Sequence, residues 1–248
     1  MITLEELNEV KEKRKTNLYY AEKEYLQYIF LNAISRYPEN FIFKGGTCLR
    51  ICYGLERASE DLDFSTNRGT KEVKKMLQKC LKEFELLNIK QKSYVEKEYK
   101  GNIRYEIRFE GPLFSGKPSS TNMLKIDFNK QKVKNKVAKV VPRLFSDVPL
   151  FTLIVLDEKE ILAEKIRALV NRKQPRDMYD TWVLLNKGTT VDKELMYEKL
   201  KEEKSNIKKI VFPSKEEYER DLKYLVKILP SYEQARKDVE KIIAHIRK

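Results

Sequence analysis

The sequence predicts an α+β chain: a mixed β-sheet domain with N-terminal helices over residues 1–152, then an α-helical domain over residues 153–248 packed against it. Three observations lead there. Between Phe41 and Leu156, short apolar runs with two-residue alternation are interleaved with helical stretches. Past Leu156 the alternation stops and only helical periodicity remains. In 248 residues, 41% hydrophobic content is enough to bury a core, and no flexible linker separates the two parts.

Each element follows from local pattern. Leu18, Ala21, Tyr25, Leu26, Ile29, Phe30, Ala33, Ile34 and Tyr37 recur at helical spacing until Pro38 stops the helix. The apolar run 41–44 is a strand that enters Gly45-Gly46-Thr47, and a short helix continues to about Tyr53. Residues 61–65 read as a strand. Val73, Leu77, Leu81, Phe84 and Leu87 make one face of a helix over 70–87. Residues 90–98 and 102–110 alternate around Lys100-Gly101-Asn102, which predicts an antiparallel hairpin. Two Pro and two Gly make 111–120 a loop, 123–128 is a further alternating strand, 132–140 is a basic stretch, and 148–156 is a short apolar strand. Helices are expected at 158–171, 176–187, 193–203, 215–229 and 232–247.

Composition excludes several classes. No run of eighteen apolar residues is present, so no membrane span is expected, and the acidic start Met1-Ile2-Thr3-Leu4-Glu5-Glu6 lacks signal-peptide character. Three cysteines without a CxxC pair, and one histidine (His245), speak against structural zinc and for reduced thiols in a cytoplasmic protein. A net charge of +13, from 51 Lys+Arg against 38 Asp+Glu, suits a polyanionic partner such as RNA or DNA, or else a solvated lysine-rich surface.

The chemistry concentrates in three segments. Fourteen residues past Thr47 comes Asp61-Leu62-Asp63-Phe64. Alternate side chains of a strand share a face, so the two carboxylates project together, roughly 6–7 Å apart along the backbone. Like charges that close repel unless a cation sits between them. The glycine turn opening a helix offers bare N–H groups to an anion. Asp127 is a third carboxylate, in a strand interior where Asp is disfavoured. It either shares a metal with Asp61 and Asp63, lies at an exposed edge, or pairs with Lys125 or Arg108. Arg57, just ahead of Asp61, either meets phosphate or is a strand-edge charge.

The other two segments lie in the helical part. Asp157 is a good N-cap for the 158–171 helix, with Glu158 and Glu160 in its first turn. Lys165 has Ile161, Leu162, Ala168 and Leu169 as its helical neighbours, so it falls on an apolar stripe, where it either snorkels to the rim or meets an anion. Arg172-Lys173-Gln174-Pro175-Arg176-Asp177-Met178-Tyr179-Asp180 opens the next helix. Arg176 and Asp180 can pair at i, i+4, and Asp180 can also hold Lys165, while Tyr179, Trp182 and Val183 face inward.

Taken in order, Lys44-Gly45-Gly46-Thr47, Arg57-x-Ser59-x-Asp61-x-Asp63, Lys125-x-Asp127, Ala163-Glu164-Lys165 with the preceding Asp157, and Arg176-Asp177-x-Tyr179-Asp180 resemble the nucleotidyltransferase toxins of the AbiEii/AbiGii type. These are a branch of the DNA polymerase β-like nucleotidyltransferase superfamily. The likeness runs from about Phe41 to Leu185, with Thr47 where the superfamily usually has Ser; the helices after about 190 match no known motif. It implies a polymerase β-like nucleotidyltransferase core with a mixed sheet, followed by a C-terminal helical bundle. It implies an Mg2+-dependent enzyme, with a two-metal site, that moves a nucleoside monophosphate from an NTP to an acceptor hydroxyl, the 3′ end of tRNA in characterised relatives. The enzyme would be a toxin held in check by a cognate antitoxin. Asp61, Asp63 and Asp127 would hold the metals. Lys44, Gly45, Gly46, Thr47, Arg57 and Ser59 would bind the nucleotide, Lys165 would neutralise its phosphates, and Asp157, Arg176, Asp177 and Asp180 would support the site. Transfer to a protein or a small molecule, and a non-catalytic nucleotide- or RNA-binding module, are the competing readings.

Overall fold

In the computed structural model, which describes residues 1–246, the chain divides into two units, Met1–Leu156 and the segment from Asp157 onward. The first runs α1 (Leu4–Lys13), α2 (Leu18–Ile34), β1 (Ile42–Lys44), α3 (Gly45–Tyr53), β2 (Leu62–Ser65), α4 (Thr70–Leu86), β3 (Lys90–Tyr99), β4 (Asn102–Glu110), β5 (Asn122–Asn129), β6 (Lys136–Val141) and β7 (Phe151–Leu156). The strands form one seven-stranded mixed sheet in the order β3-β4-β5-β2-β1-β7-β6. β2 runs parallel to β5, and β1 parallel to β7; the other neighbours are antiparallel.

One face of the sheet carries the core. Phe43, Leu62, Phe64, Ile103, Tyr105, Ile107, Phe109, Leu124, Ile126 and Phe128 are all buried, at alternate positions on four neighbouring strands. Phe64 and Phe128 are register partners and stack at 5.3 Å between ring centroids, with Phe43 and Phe41 against Phe64. Helix α4 lays its buried face of Val73, Leu77, Cys80, Leu81 and Phe84 on this core. The β3–β4 hairpin turns at Lys100 and Gly101, whose φ values of 48° and 80° are those of a two-residue primed turn that fits the twist of its strands.

Helix α2 differs from the amphipathic helix the spacing predicts. Glu22, Lys23, Glu24 and Gln27 are buried along with its apolar residues, because it is covered on most sides. Each finds a partner: Arg14 and Arg50 on Glu24, Leu113 N and Asn122 on Glu22, and the backbone of Met123, Ser59 and Glu60 on Lys23 and Gln27. The helix ends at Ile34, three residues sooner than its pattern, with Tyr37 closing a turn onto the Ile34 carbonyl. The basic stretch 132–140, left without regular structure by its sequence, contains the edge strand β6; lysines on an edge hide its alternation.

The second unit is helical: α5 (Glu158–Asn171), α6 (Pro175–Asn186), α7 (Lys193–Glu202), α8 (Lys215–Leu222) and α9 (Tyr232–Ile246). Met178, Leu184, Met196, Leu200, Tyr218, Leu222, Ala235 and Val239 form its interior. Trp182 is only half-buried and donates its indole N–H to Asp238 at 3.0 Å; Leu184 takes the inward place. Helix α8 stops at Leu222, well short of residue 229. Leu225 and Val226 keep the periodicity because they are buried, but they sit in a turn that both close onto the Leu222 carbonyl. Residue 247, expected in the last helix, lies outside the described residues.

Candidate active site

Register builds the site. Lys44 on β1 lies opposite Asp63 on β2, Asp63 opposite Asp127 on β5, Asp127 opposite Arg104 on β4, and Arg104 opposite Lys97 on β3. Directly opposed residues share a face, so these five form one charged row across the sheet face away from the aromatic core. Asp63 and Asp127 are therefore neighbours in space though 64 positions apart in sequence. Asp61 stands one pleat before Asp63.

The double glycine sets how close the chain comes to these carboxylates. Gly45, the first residue of α3, has φ of 80°, and a Cβ there would collide with the Asp63 carboxylate. At Gly46 a Cβ would meet the Arg57 guanidinium and Ser59 Oγ. The N-cap residue, Lys44, gives the start of α3 no side-chain hydrogen bond, and the first N–H groups of a helix are the ones that suit an anion. Lys44 itself is buried and donates its Nζ to Gln131 Oε1.

Three predicted residues act inside the fold. Thr47 is fully buried, its hydroxyl 2.5 Å from the Asp61 carbonyl and 2.9 Å from Ser59 Oγ. It ties α3 to the segment before β2, so what it can offer a phosphate is its backbone N–H rather than its hydroxyl. Arg57 is buried beside Gly46 and donates to the Ala58 carbonyl at 2.9 Å. Gln27 of α2 holds the same segment by donating to the carbonyls of Ser59 and Glu60.

Two cations that sequence reasoning missed face the carboxylates. Arg104 donates Nε to both Asp127 oxygens, at 2.8 and 2.9 Å, and that bond raises the arginine's pKa further. Lys23 is buried and donates Nζ to the Met123 carbonyl at 2.5 Å. Burial lowers its pKa, while the charges of Glu60 and Asp61 oppose that shift. The crowded surroundings, followed by Glu60 and Asp127, push the Asp61 carboxyl above the usual range; Arg104 and Lys23 pull the other way. Arg104 could have been suspected from its parity with Glu106 and Arg108 on an alternating strand, but choosing among them needs the β4–β5 register.

The donor set suits a hard divalent cation, since it is all carboxylate oxygen and two of its members are adjacent. The three-carboxylate metal cluster expected from Asp61, Asp63 and Asp127 is not closed as the side chains stand: among the described residues no three His, Cys, Asp or Glu side chains are gathered tightly enough to ligate one ion. Asp127 is instead paired with Arg104, which donates Nε to both of its oxygens.

The second unit holds the remaining predicted residues. Asp157 caps α5 by accepting from Lys159 N at 2.9 Å. Lys165, on the apolar stripe of α5, reaches two buried carboxylates of α6, Asp177 at 2.9 Å and Asp180 at 2.8 Å. Arg172 adds a second cation to Asp177, at 2.8 Å. Burial alone would raise Asp177; Lys165 and Arg172 outweigh it and hold its carboxyl below the usual range. Arg176 lies in the first turn of α6.

Solved structures share this fold. MenT4, a nucleotidyltransferase toxin of Mycobacterium tuberculosis, superposes with a TM-score of 0.69 at 17% identity, over 98% of this chain and 89% of its own. JHP933 of Helicobacter pylori superposes at 0.61 with 17% identity, over 93% of both chains. No curated protein matches the sequence. The fold class is that of a nucleotidyltransferase. The sequence model of the nucleotidyl transferase AbiEii toxin family, of type IV toxin–antitoxin systems, matches residues 29–247, and the chain belongs to that family. Membership makes it a nucleotidyltransferase toxin and implies a nucleotide substrate and an antitoxin partner. Among the described residues no helix is long and apolar enough to cross a membrane.

Proposed function

We propose that this toxin moves a nucleoside monophosphate from an NTP to a hydroxyl of an RNA acceptor, the 3′ end of tRNA, with Mg2+ held by Asp61, Asp63 and Asp127. The observation that carries the reading is the adjacency of Asp63 and Asp127 beside the glycine start of α3. A divalent cation there would offset the charge gathering on the α-phosphate. The N–H groups of Gly45, Gly46 and Thr47 meet the nucleotide's phosphates, and the bare Gly45 lets them approach the carboxylates. Asp127 draws the acceptor proton toward a carboxylate oxygen. The acceptor oxygen bonds to the α-phosphorus and pyrophosphate leaves. Catalysis of this kind is mainly positioning and charge stabilisation.

A net charge of +13 favours RNA over a protein or small-molecule acceptor. Incubation with labelled NTPs, Mg2+ and total tRNA tests the reading: label should enter the tRNA with the wild type and not with Asp61→Ala. Equal labelling by the variant, or none by the wild type, sinks it. Label appearing in protein instead would establish the alternative acceptor class.

A further inference from the structure

A cavity of about 450 Å³ opens on the first unit, lined mostly by residues near the end of β1 away from the glycine turn. Ile42 and Ser65 line it. They are register partners, one pleat from the partners Lys44 and Asp63, so the cavity opens on the same sheet face as the carboxylates. β1 runs from it to Gly45. Ile42 and the start of α3 thus lie at opposite ends of one short strand, and Lys136, which faces Leu156 on β7 and so is level with Lys44, carries the cavity wall along to the row of Asp63 and Asp127.

Its walls have a distinct chemistry. Lys130, Lys132 and Lys136 line it, against a single acid, Glu39. Gln131 joins it to the charged row, because its Oε1 accepts from Lys44. An ammonium can only donate, so that contact fixes which way the amide faces. The Gln131 Nε2 is then turned from Lys44, and it is buried with no hydrogen-bond partner. A buried amide N–H without an acceptor is costly unless something supplies one. With no accessible surface of its own, that N–H belongs to the wall of the cavity rather than to the surface a ligand would touch.

We propose that this cavity is the acceptor subsite of the enzyme and takes one phosphodiester-linked ribonucleotide near the reacting 3′ hydroxyl. The inference rests on the RNA-acceptor reading above. Volume suits a single nucleotide unit, since small-ligand sites run from about 300 Å³ upward. The helix start at the other end of β1 is the natural place for the triphosphate, which leaves this side of the carboxylates for the acceptor. Three lysines match a strand whose every unit carries a phosphate, and they would be wasted on an uncharged base and ribose.

Fluorescence anisotropy of the full chain with a short labelled single-stranded RNA tests this, measured across a salt series beside binding of an unreactive NTP analogue. Lys130→Ala/Lys136→Ala should weaken RNA binding about tenfold at low salt and flatten the log–log salt slope by about 1.4, two phosphate contacts' worth on a single strand. NTP-analogue binding should hold, and Lys130→Arg/Lys136→Arg should restore most of the RNA affinity. Unchanged RNA affinity and slope in a wild type that binds RNA would overturn the subsite while sparing the RNA reading. Loss of analogue binding with RNA binding intact would make the cavity a nucleotide pocket and overturn it too. A wild type that binds no RNA would overturn the reading beneath it.

Discussion

Arg104 Nε lies 2.8 and 2.9 Å from the two carboxylate oxygens of Asp127, its register partner across β4 and β5. The pair is half open to solvent on the arginine side, so it is worth little as a brace. Its consequence is electrostatic. The guanidinium neutralises a carboxylate that stands beside another, Asp63, and it covers the oxygens a metal would need. Metal and arginine compete for Asp127.

Arg104→Gln should therefore tighten divalent-metal binding by roughly two- to fivefold, the equivalent of the 0.5–1 kcal/mol an exposed pair supplies. Titration calorimetry with Mn2+ on the nucleotide-free protein reads this directly. Weaker metal binding in the variant would mean that Arg104 shapes the site rather than occupies it.

Gly45→Ala meets two obstacles at once. Its φ of 80° disfavours any side chain, and the new Cβ would press on the Asp63 carboxylate. The variant should lose about 1–3 kcal/mol in urea unfolding and most of its nucleotide transfer. Gly46→Ala separates the two effects. Its φ is not positive and its Cβ would meet the Arg57 guanidinium and the Ser59 hydroxyl instead, so its cost comes from crowding alone. A Gly45→Ala protein as stable and active as the wild type would remove the close approach from the site's design.

What could be read from sequence was what is local. The strand entering Gly45-Gly46, the Asp61/Asp63 alternation and the cap at Asp157 each depend on a few neighbouring residues, and each stands in the structure where the pattern puts it. Lys165 on its apolar stripe was equally visible, and Asp180 was one expected partner; Asp177 joins from a turn earlier on α6. What stayed hidden was set by register over long connections. Asp127 could have met Lys125, Arg108 or a metal, and only the β4–β5 pairing selects Arg104. Lys23 was invisible for another reason: a helix covered on most sides has no polar stripe to betray which charge is functional.

Removing Lys165 should be the most damaging single change in the second unit. Asp177 and Asp180 are 1% and 0% exposed, and Lys165 is the ammonium between them. Lys165→Met keeps the apolar stem and deletes the charge, which should cost about 3–5 kcal/mol, the usual penalty for breaking a buried pair. Chemical denaturation measures it. A loss under about 1 kcal/mol would place the cluster's stability in Arg172 rather than Lys165.

The same cluster predicts how stability follows pH. Lys165 and Arg172 hold the Asp177 carboxyl below its ordinary value against the opposing effect of burial. A carboxylate depressed in the folded state binds fewer protons there than in the unfolded chain, so its stabilisation is present above the unfolded pKa of about 3.9 and is lost as pH falls through the folded value. Wild-type unfolding free energy should then drop steeply below about pH 4, and Asp177→Asn, which carries no titrating group, should start lower at neutral pH and fall less over that range. Urea midpoints measured at a series of acidic pH values decide it; parallel curves for the two proteins would show that Asp177 titrates alike folded and unfolded.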